Sequence, residues 1–283
     1  MSGQFGQIVF IIWRESVEAL LVIGILHAWL SRQADPATAT IGRRYLWSGV
    51  LAGFGLALSL AAVLLFFAET LPENAQDYFM TAMVLIAAAL ILQMVFWLRR
   101  HGPSLKTEIE AGLDHAAAQA RHWGLFVLAM LAVAREGSET VVFLYGILAA
   151  GAHSLAPTLT AILIGFAAAI FTYWLLQLGS KLLSWRLFFR ATEIMLLLLA
   201  GSLIMNGVDH LYGLGIVPSL GGTVWDSSLL LDDTTAFGGL VSALTGYRSQ
   251  PDVVSIVVFA AYWALVLWRL SRAEGAVRKT KAA

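Results

Sequence analysis

The sequence predicts an all-α polytopic membrane protein. Seven transmembrane helices are expected, as two inverted three-helix repeats plus a seventh helix, with the N-terminus outside and the C-terminus inside. Three observations carry this prediction. Of 283 residues, 59% are hydrophobic and only 13% charged, against about 25% charged in a typical soluble domain. Several apolar runs exceed the roughly 18 residues that mark a transmembrane candidate. The basic residues also fall in alternate connecting segments, as the positive-inside rule requires.

The apolar runs place helices over 5–30, 45–68, 77–98, 122–150, 157–180, 187–211 and 252–271. Lys and Arg total 18, and all but three lie in four segments. Arg32, Arg43 and Arg44 occupy the first; Arg99, Arg100, Lys106 and Arg121 the second. Lys181, Arg186 and Arg190 occupy the third; Arg269, Arg272, Arg278, Lys279 and Lys281 the tail. With seven spans, all four segments share one face, which the positive-inside rule makes cytoplasmic. A miscounted helix would scatter them over both faces. The opposite loops carry Glu69, Glu73, Asp77, Asp226, Asp232, Asp233 and Asp252, with Arg248.

The whole chain, 1–283, then reads as one transmembrane domain. Residues 1–98 form the first repeat, 99–121 a cytoplasmic connector, and 122–211 the second repeat. Residues 212–251 form an extracytoplasmic loop, and 252–283 the seventh helix with its basic tail. Within the connector, Leu105, Ile109 and Leu113 recur every four residues, which predicts a short amphipathic helix over 104–120. Within the outer loop, residues 234–247 are apolar enough for a re-entrant or interfacial turn but too short to span. An ordinary solvated loop is the alternative there.

Two of the predicted helices carry the same charged motif where hydrocarbon is expected. Arg14-Glu15-Ser16-Val17-Glu18 lies in the first helix, and Arg135-Glu136-Gly137-Ser138-Glu139 in the fourth. An ionisable side chain at bilayer depth costs roughly 2.5–3.5 kcal/mol on insertion scales. Aligning Arg14 with Arg135 extends the match to Gly24-Ile25-Leu26 and Gly146-Ile147-Leu148, with one residue inserted in the second copy. The first helix runs inward and the fourth outward, so 1–3 and 4–6 are candidate inverted repeats. Such repeats place a transporter's substrate site near the midplane.

In each copy the glutamates are three residues apart, so both point to one helix face. The arginine stands four residues before the second glutamate, on the same face, and can pair with it. Four glutamates and two arginines leave an excess of two negative charges, which is costly in hydrocarbon. A cation in the site, or protons when it is empty, would offset that excess. Carboxylate oxygens suit hard or borderline cations such as magnesium, calcium, manganese and iron. Buried ion pairs with a purely structural role are the bland alternative; a single copy would fit it far better than two at matched depth.

Other classes find little support. Zero net charge gives no case for nucleic acid. With no cysteine there is no disulfide, thiolate metal site or cysteine nucleophile. The first apolar stretch lacks a basic leader and carries three charges at its centre, so a cleaved signal peptide is not expected. A di-iron bundle needs Glu-x-x-His and a zinc protease H-E-x-x-H; neither occurs. No enzyme is therefore expected. No phosphate-binding G-x-x-x-x-G-K-[ST] is present, so any ATP-driven step would need another subunit. Among the remaining polar groups, Glu193 reads as a partner of Arg190 in preference to an exit ligand. Asp209 and His210 could receive a metal at the entrance or cap the sixth helix in water, and Asn206 could join either role. Trp13 reads as packing.

The doubled R-E-x-x-E in a seven-span chain resembles the high-affinity iron permease family, its bacterial oxidase-linked branch above all. The resemblance covers nearly the whole chain. It includes W-R-E-S-V-E-A-L-L-V-I-G-I-L at 13–26, M-V-F-W-L-R-R at 94–100, A-V-A-R-E-G-S-E at 132–139 and L-T-G-Y-R-S-Q-P at 244–251. It implies that Glu15, Glu18, Glu136 and Glu139 are iron ligands and that Arg14 and Arg135 support them. It also implies inward iron transport across a bacterial inner membrane, with iron as cargo and no permanently bound cofactor. An extracytoplasmic oxidase or iron-binding protein is the implied partner. Ser16 stands where the family commonly has glycine; both are small, so close helix packing is expected to survive. Another divalent cation, manganese or lead, is the rival cargo, and a non-transporting structural subunit the rival class.

Overall fold

The computed structural model describes residues 2–31, 36–101, 122–150, 154–177, 185–218 and 222–282. They form eight helices and no strand: α1 Ser2–Ser31, α2 Pro36–Thr70, α3 Glu73–His101, α4 His122–Ala149, α5 Leu155–Gln177, α6 Trp185–Gly213, α7 Ala236–Thr245 and α8 Val253–Ala282. Five are long and apolar enough to cross a membrane, namely α2, α3, α5, α6 and α8. The other two long helices, α1 and α4, have 30 and 28 residues and carry the charged motifs. The connector helix expected over 104–120 lies outside the described residues.

Several helices run past the expected bounds. The second begins at Pro36, not 45. Proline suits a first helical turn because its fixed φ is helical and its missing N–H would be unpaired there anyway. Arg43 and Arg44 therefore stand on α2 itself and not in a loop. At about 1.5 Å per residue, a helix of 35 residues outreaches a hydrocarbon core of roughly 30 Å.

Burial sorts the helices into centre and periphery. In the apolar window of α6, 61% of residues are buried, against 11% in α2. The core is built from Ile8 and Ile11 of α1, Val84, Ala87 and Ile91 of α3, Phe143 of α4, and Leu196, Leu199 and Leu203 of α6. Leu51, Phe54 and Phe66 of α2 and Leu163, Phe166 and Phe171 of α5 are exposed. Apolar residues on an outer face are the expected arrangement where the solvent is lipid.

The peripheral helices are held by small residues. Gly49, Gly53 and Ala57 recur every fourth residue on α2, and all three are buried. A Cβ on Gly53 would come within 2.6 Å of the Met130 carbonyl oxygen and 2.9 Å of the Ala134 nitrogen, both on α4. A Cβ on Gly137 of α4 would lie 2.6 Å from the Ala57 Cβ. On α5, Ala161, Gly165 and Ala169 repeat the spacing, and Gly165 abuts the Val9 carbonyl and Ile12 of α1. Small-xxx-small stripes of this kind let helix backbones touch in lipid. So α2 lies along α4 and α5 along α1, while α3 packs on α6 and α1 on α4.

The apolar segment over 234–247 contains a docked helix. Thr235 caps α7 by accepting from the Gly238 N–H, and Gly246 ends it at φ 75°, a left-handed conformation glycine adopts without strain. The helix packs against α1 and α6. Buried Gln7 donates to the Ala243 carbonyl and, at 3.4 Å, to the Ser202 hydroxyl. The segment is thus a helix packed on the bundle and not an irregular loop.

The Gly53 contact is with backbone, which cannot swing aside. Gly53→Ala is expected to destabilise the protein by about 1–3 kcal/mol through overpacking. Gly55, on the same helix with nothing within 4 Å, is the control: Gly55→Ala should be neutral or gain up to about 1 kcal/mol. Thermal unfolding in detergent compares the two, and equal melting of both variants would contradict the contact.

Candidate metal site

The contact of α1 with α4 brings the two charged motifs together. On α1, Arg14 donates from Nη1 to Glu15 Oε1 at 2.6 Å and from Nη2 to Glu18. Nη1 also donates to the Met94 thioether of α3 at 2.9 Å. Arg14 and Glu15 are each only 1% exposed. On α4, Arg135 uses Nε, at 3.1 Å from Glu139 Oε1 and 3.8 Å from Glu136 Oε1. Its guanidinium carbon lies 4.7 Å from the centre of the Trp97 ring, also on α3. The side chain of Arg135 is 44% exposed.

Between the two motifs the carboxylates converge. Glu15, Glu18 and Glu136 each offer one oxygen, and these lie within 4.8 Å of one another. Glu139 stands beside them, close enough for its charge to act on Glu15 and Glu18. Glu15, Glu136 and Glu139 each keep a buried Oε2 with no hydrogen-bond partner. An orphaned buried carboxylate oxygen is costly. Three in one place are oxygen atoms of the kind hard and borderline cations take as ligands. Like charges at about 4 Å repel by roughly 4 kcal/mol at an effective dielectric of 20. Two arginines cannot neutralise four carboxylates, so a bound cation relieves both the repulsion and the orphaned atoms.

Glu193, Asp209 and His210 sit elsewhere, and the two carboxylates are already paired. Glu193 pairs with Arg99, which reaches it from the end of α3. This corrects the expected Glu193–Arg190 pair: α3 packs along α6, and Arg99 arrives on the buried side of Glu193, whereas Arg190 is exposed. Asp209 and His210 do not cap α6, which continues to Gly213. The helix closes by backbone, with the Leu214 N–H on the His210 carbonyl at 3.0 Å and Gly215 at φ 67°. Asp209 pairs with Arg248, which also reaches Asn206 at 3.5 Å. Asp77, Asn206, Asp209 and His210 line a cleft of about 370 Å³ at this end of α6. In the neighbouring loop the Ser228 hydroxyl and N–H hold the Asp226 carboxyl below its usual range, and Thr234 does the same for Asp232. Trp13 does more than pack: its indole N–H donates to Thr172 of α5 at 2.9 Å.

Sequence reasoning gave no role to Met94 or Trp97. Each holds one motif arginine, and both stand three residues apart on α3. Their signal was positional, an aromatic and a thioether on one helix face just before two basic residues.

Fold and site together define a multi-pass helical membrane protein with a buried, carboxylate-rich cluster. A sequence model of the Iron permease FTR1 family matches residues 6–271, and the chain belongs to that family. The ferrous iron permease EfeU of Escherichia coli O6:H1 strain CFT073 is 31% identical over 275 residues, 94% of this chain and 96% of its own. That of Shigella sonnei is 30% identical over 281 residues, 96% and 98% of the two chains. A relative from Escherichia coli K12, also 30% identical over 281 residues (96% and 98% of the two chains), is named as a ferrous iron permease EfeU thought to be inactive. No solved structure gives a significant match.

The two motif arginines differ in burial, so their loss should differ in cost. Arg14→Gln strands buried Glu15 and partly buried Glu18 and is expected to destabilise by about 3–5 kcal/mol. Arg135→Gln, at a half-exposed pair, should cost about 1 kcal/mol or less. Thermal melts in detergent decide it, and equal losses would refute the asymmetry.

Proposed function

We propose that this chain is an inward iron permease of a bacterial inner membrane, passing iron between its two R-E-x-x-E copies. Glu15, Glu18, Glu136 and Glu139 are the iron ligands; Arg14 and Arg135 limit the charge they leave unbalanced. The observation that carries the reading is the meeting of carboxylates from both copies, with unpartnered oxygens, in a chain of an iron permease family. The relatives are named for ferrous iron, which supports the divalent ion as cargo.

The proposed architecture counts α1 and α4 as spans, making seven. The pairing of helices supports two inverted repeats: exchanging α1, α2 and α3 for α4, α5 and α6 turns the α2–α4 contact into the α5–α1 contact. The same exchange leaves α1–α4 and α3–α6 unchanged, whereas the α3–α4 contact has no comparable α6–α1 counterpart, so the symmetry is partial. The basic segments support a cytoplasmic C-terminus and an outer face bearing α7 and the acidic loop. On this reading the repeats are 1–98 and 122–211, joined by 99–121 and followed by loop 212–251 and span 252–283. Iron enters from the acidic outer face, where Asp209 and His210 border the cleft, and leaves past the end of α6 that carries Glu193. An extracytoplasmic iron-binding protein would deliver it as the divalent ion, whereas an oxidase partner would supply it as ferric ion. An inside-negative potential favours the inward step by about 2.3 kcal/mol per charge per 100 mV.

Two outcomes follow for purified protein. Ferrous iron at about 100 times its Kd should stabilise the protein in detergent by roughly 2.7 kcal/mol, and Glu15→Ala with Glu136→Ala should abolish the shift. In proteoliposomes at equal protein content, alanine at any of the four glutamates should cut uptake at least about tenfold, the equivalent of 1.4 kcal/mol. Wild-type uptake by all four variants would end the assignment. Manganese as a competitor separates the rival cargo.

A further inference from the structure

The segment M-V-F-W-L-R-R at 94–100 has no part in the ligand set, yet three of its side chains reach functional charges. Met94 accepts from Arg14, Trp97 lies against Arg135, and Arg99 pairs with Glu193. Met94 and Trp97 share one face of α3, so a single helix face touches both motif arginines. The two arginines are held differently. Arg14 spends Nη1 and Nη2 on Glu15 and Glu18. Arg135 meets both of its glutamates through Nε alone, with its guanidinium at the indole face, 4.7 Å from the ring centre. Glu136 and Glu139 each retain an unpartnered buried oxygen.

We propose that Trp97 is a positioning residue for iron binding: by holding the guanidinium of Arg135 against its ring, it keeps the Glu136 and Glu139 carboxylates open to the cation. Guanidinium and carboxylate otherwise favour a two-pronged pairing through parallel N–H groups. Released from the indole, Arg135 would turn its terminal nitrogens onto Glu136 and Glu139 and compete with iron for the same oxygens. Met94 does the converse on α1, where its sulfur takes part of the Nη1 donation of an arginine already committed to both partners. The inference rests on the iron-permease reading but is tested separately from it.

The experiment measures ferrous iron uptake in proteoliposomes as a function of iron concentration, for wild type, Trp97→Leu, Trp97→Phe, Arg135→Gln and the Trp97→Leu/Arg135→Gln double variant. Trp97→Leu should raise KM two- to thirty-fold, the range a cation–π contact supports, with a smaller change in kcat. Trp97→Phe, which keeps an aromatic face, should recover most of the loss. In the Arg135→Gln background the Trp97→Leu change should have no further effect on KM, because the competitor is gone. Should Arg135→Gln transport too slowly for kinetics, titration of the detergent-solubilised proteins with manganous ion gives the same comparison as a shift in Kd. An unchanged KM and Kd in Trp97→Leu overturns the inference, as does an equal effect with and without Arg135. If wild-type protein fails to transport iron at all, it is the permease reading that falls.

Discussion

Unbalanced negative charge inside an apolar helix bundle is the constraint on which this structure is organised. Four carboxylates and two guanidinium groups meet where α1 and α4 touch, and neither lipid nor the core around them can solvate the difference. Every neighbouring element answers to that fact. Both arginines stand four residues from their second glutamates. A thioether and an indole on α3 hold the arginines from outside. The bulky core of Ile11, Ile91, Phe143 and Leu199 excludes water from the helix contacts around it. A mobile cation is the simplest group that completes the set.

The two motif copies share a sequence pattern but not an environment. The first is sealed, its arginine 1% exposed, and the second is half-open, its arginine 44% exposed and faced by an aromatic ring. The matched motifs therefore supply two glutamate pairs, and the contacts of α3 with Arg14 and Arg135 make their surroundings unlike.

Much of this was legible in the residues. The long helices followed from apolar run length, and the motif pairing from i, i+3 and i, i+4 spacing, because both depend on local geometry. What escaped depended on partners distant in sequence. Glu193 reads naturally as a partner of Arg190 three residues away, yet Arg99 reaches it across the α3–α6 contact. Asp209 reads equally as a cap or an entrance ligand, yet α6 runs on and Arg248 claims the carboxylate from a loop. The stripe Gly49-Gly53-Ala57 was present in plain sight but looks like any small-residue scatter until its partner helix is known. The helix α7 stood at the margin, too short to span and too apolar to dissolve, and its placement was settled by Gln7 and Ser202 on other helices.

The glycine contacts also dictate how the bundle can deform. Where backbone meets backbone, as Gly53 meets Met130 and Gly165 meets Val9, no long side chain is available to change rotamer and absorb a shift. Two helices joined in this way translate and tilt as a single stiff plank. The planks here are α2 with α4 and α5 with α1, each drawing one helix from either half of the chain. The seam with freedom to slip is then the one between planks, where α1 passes α4, and it carries the carboxylates.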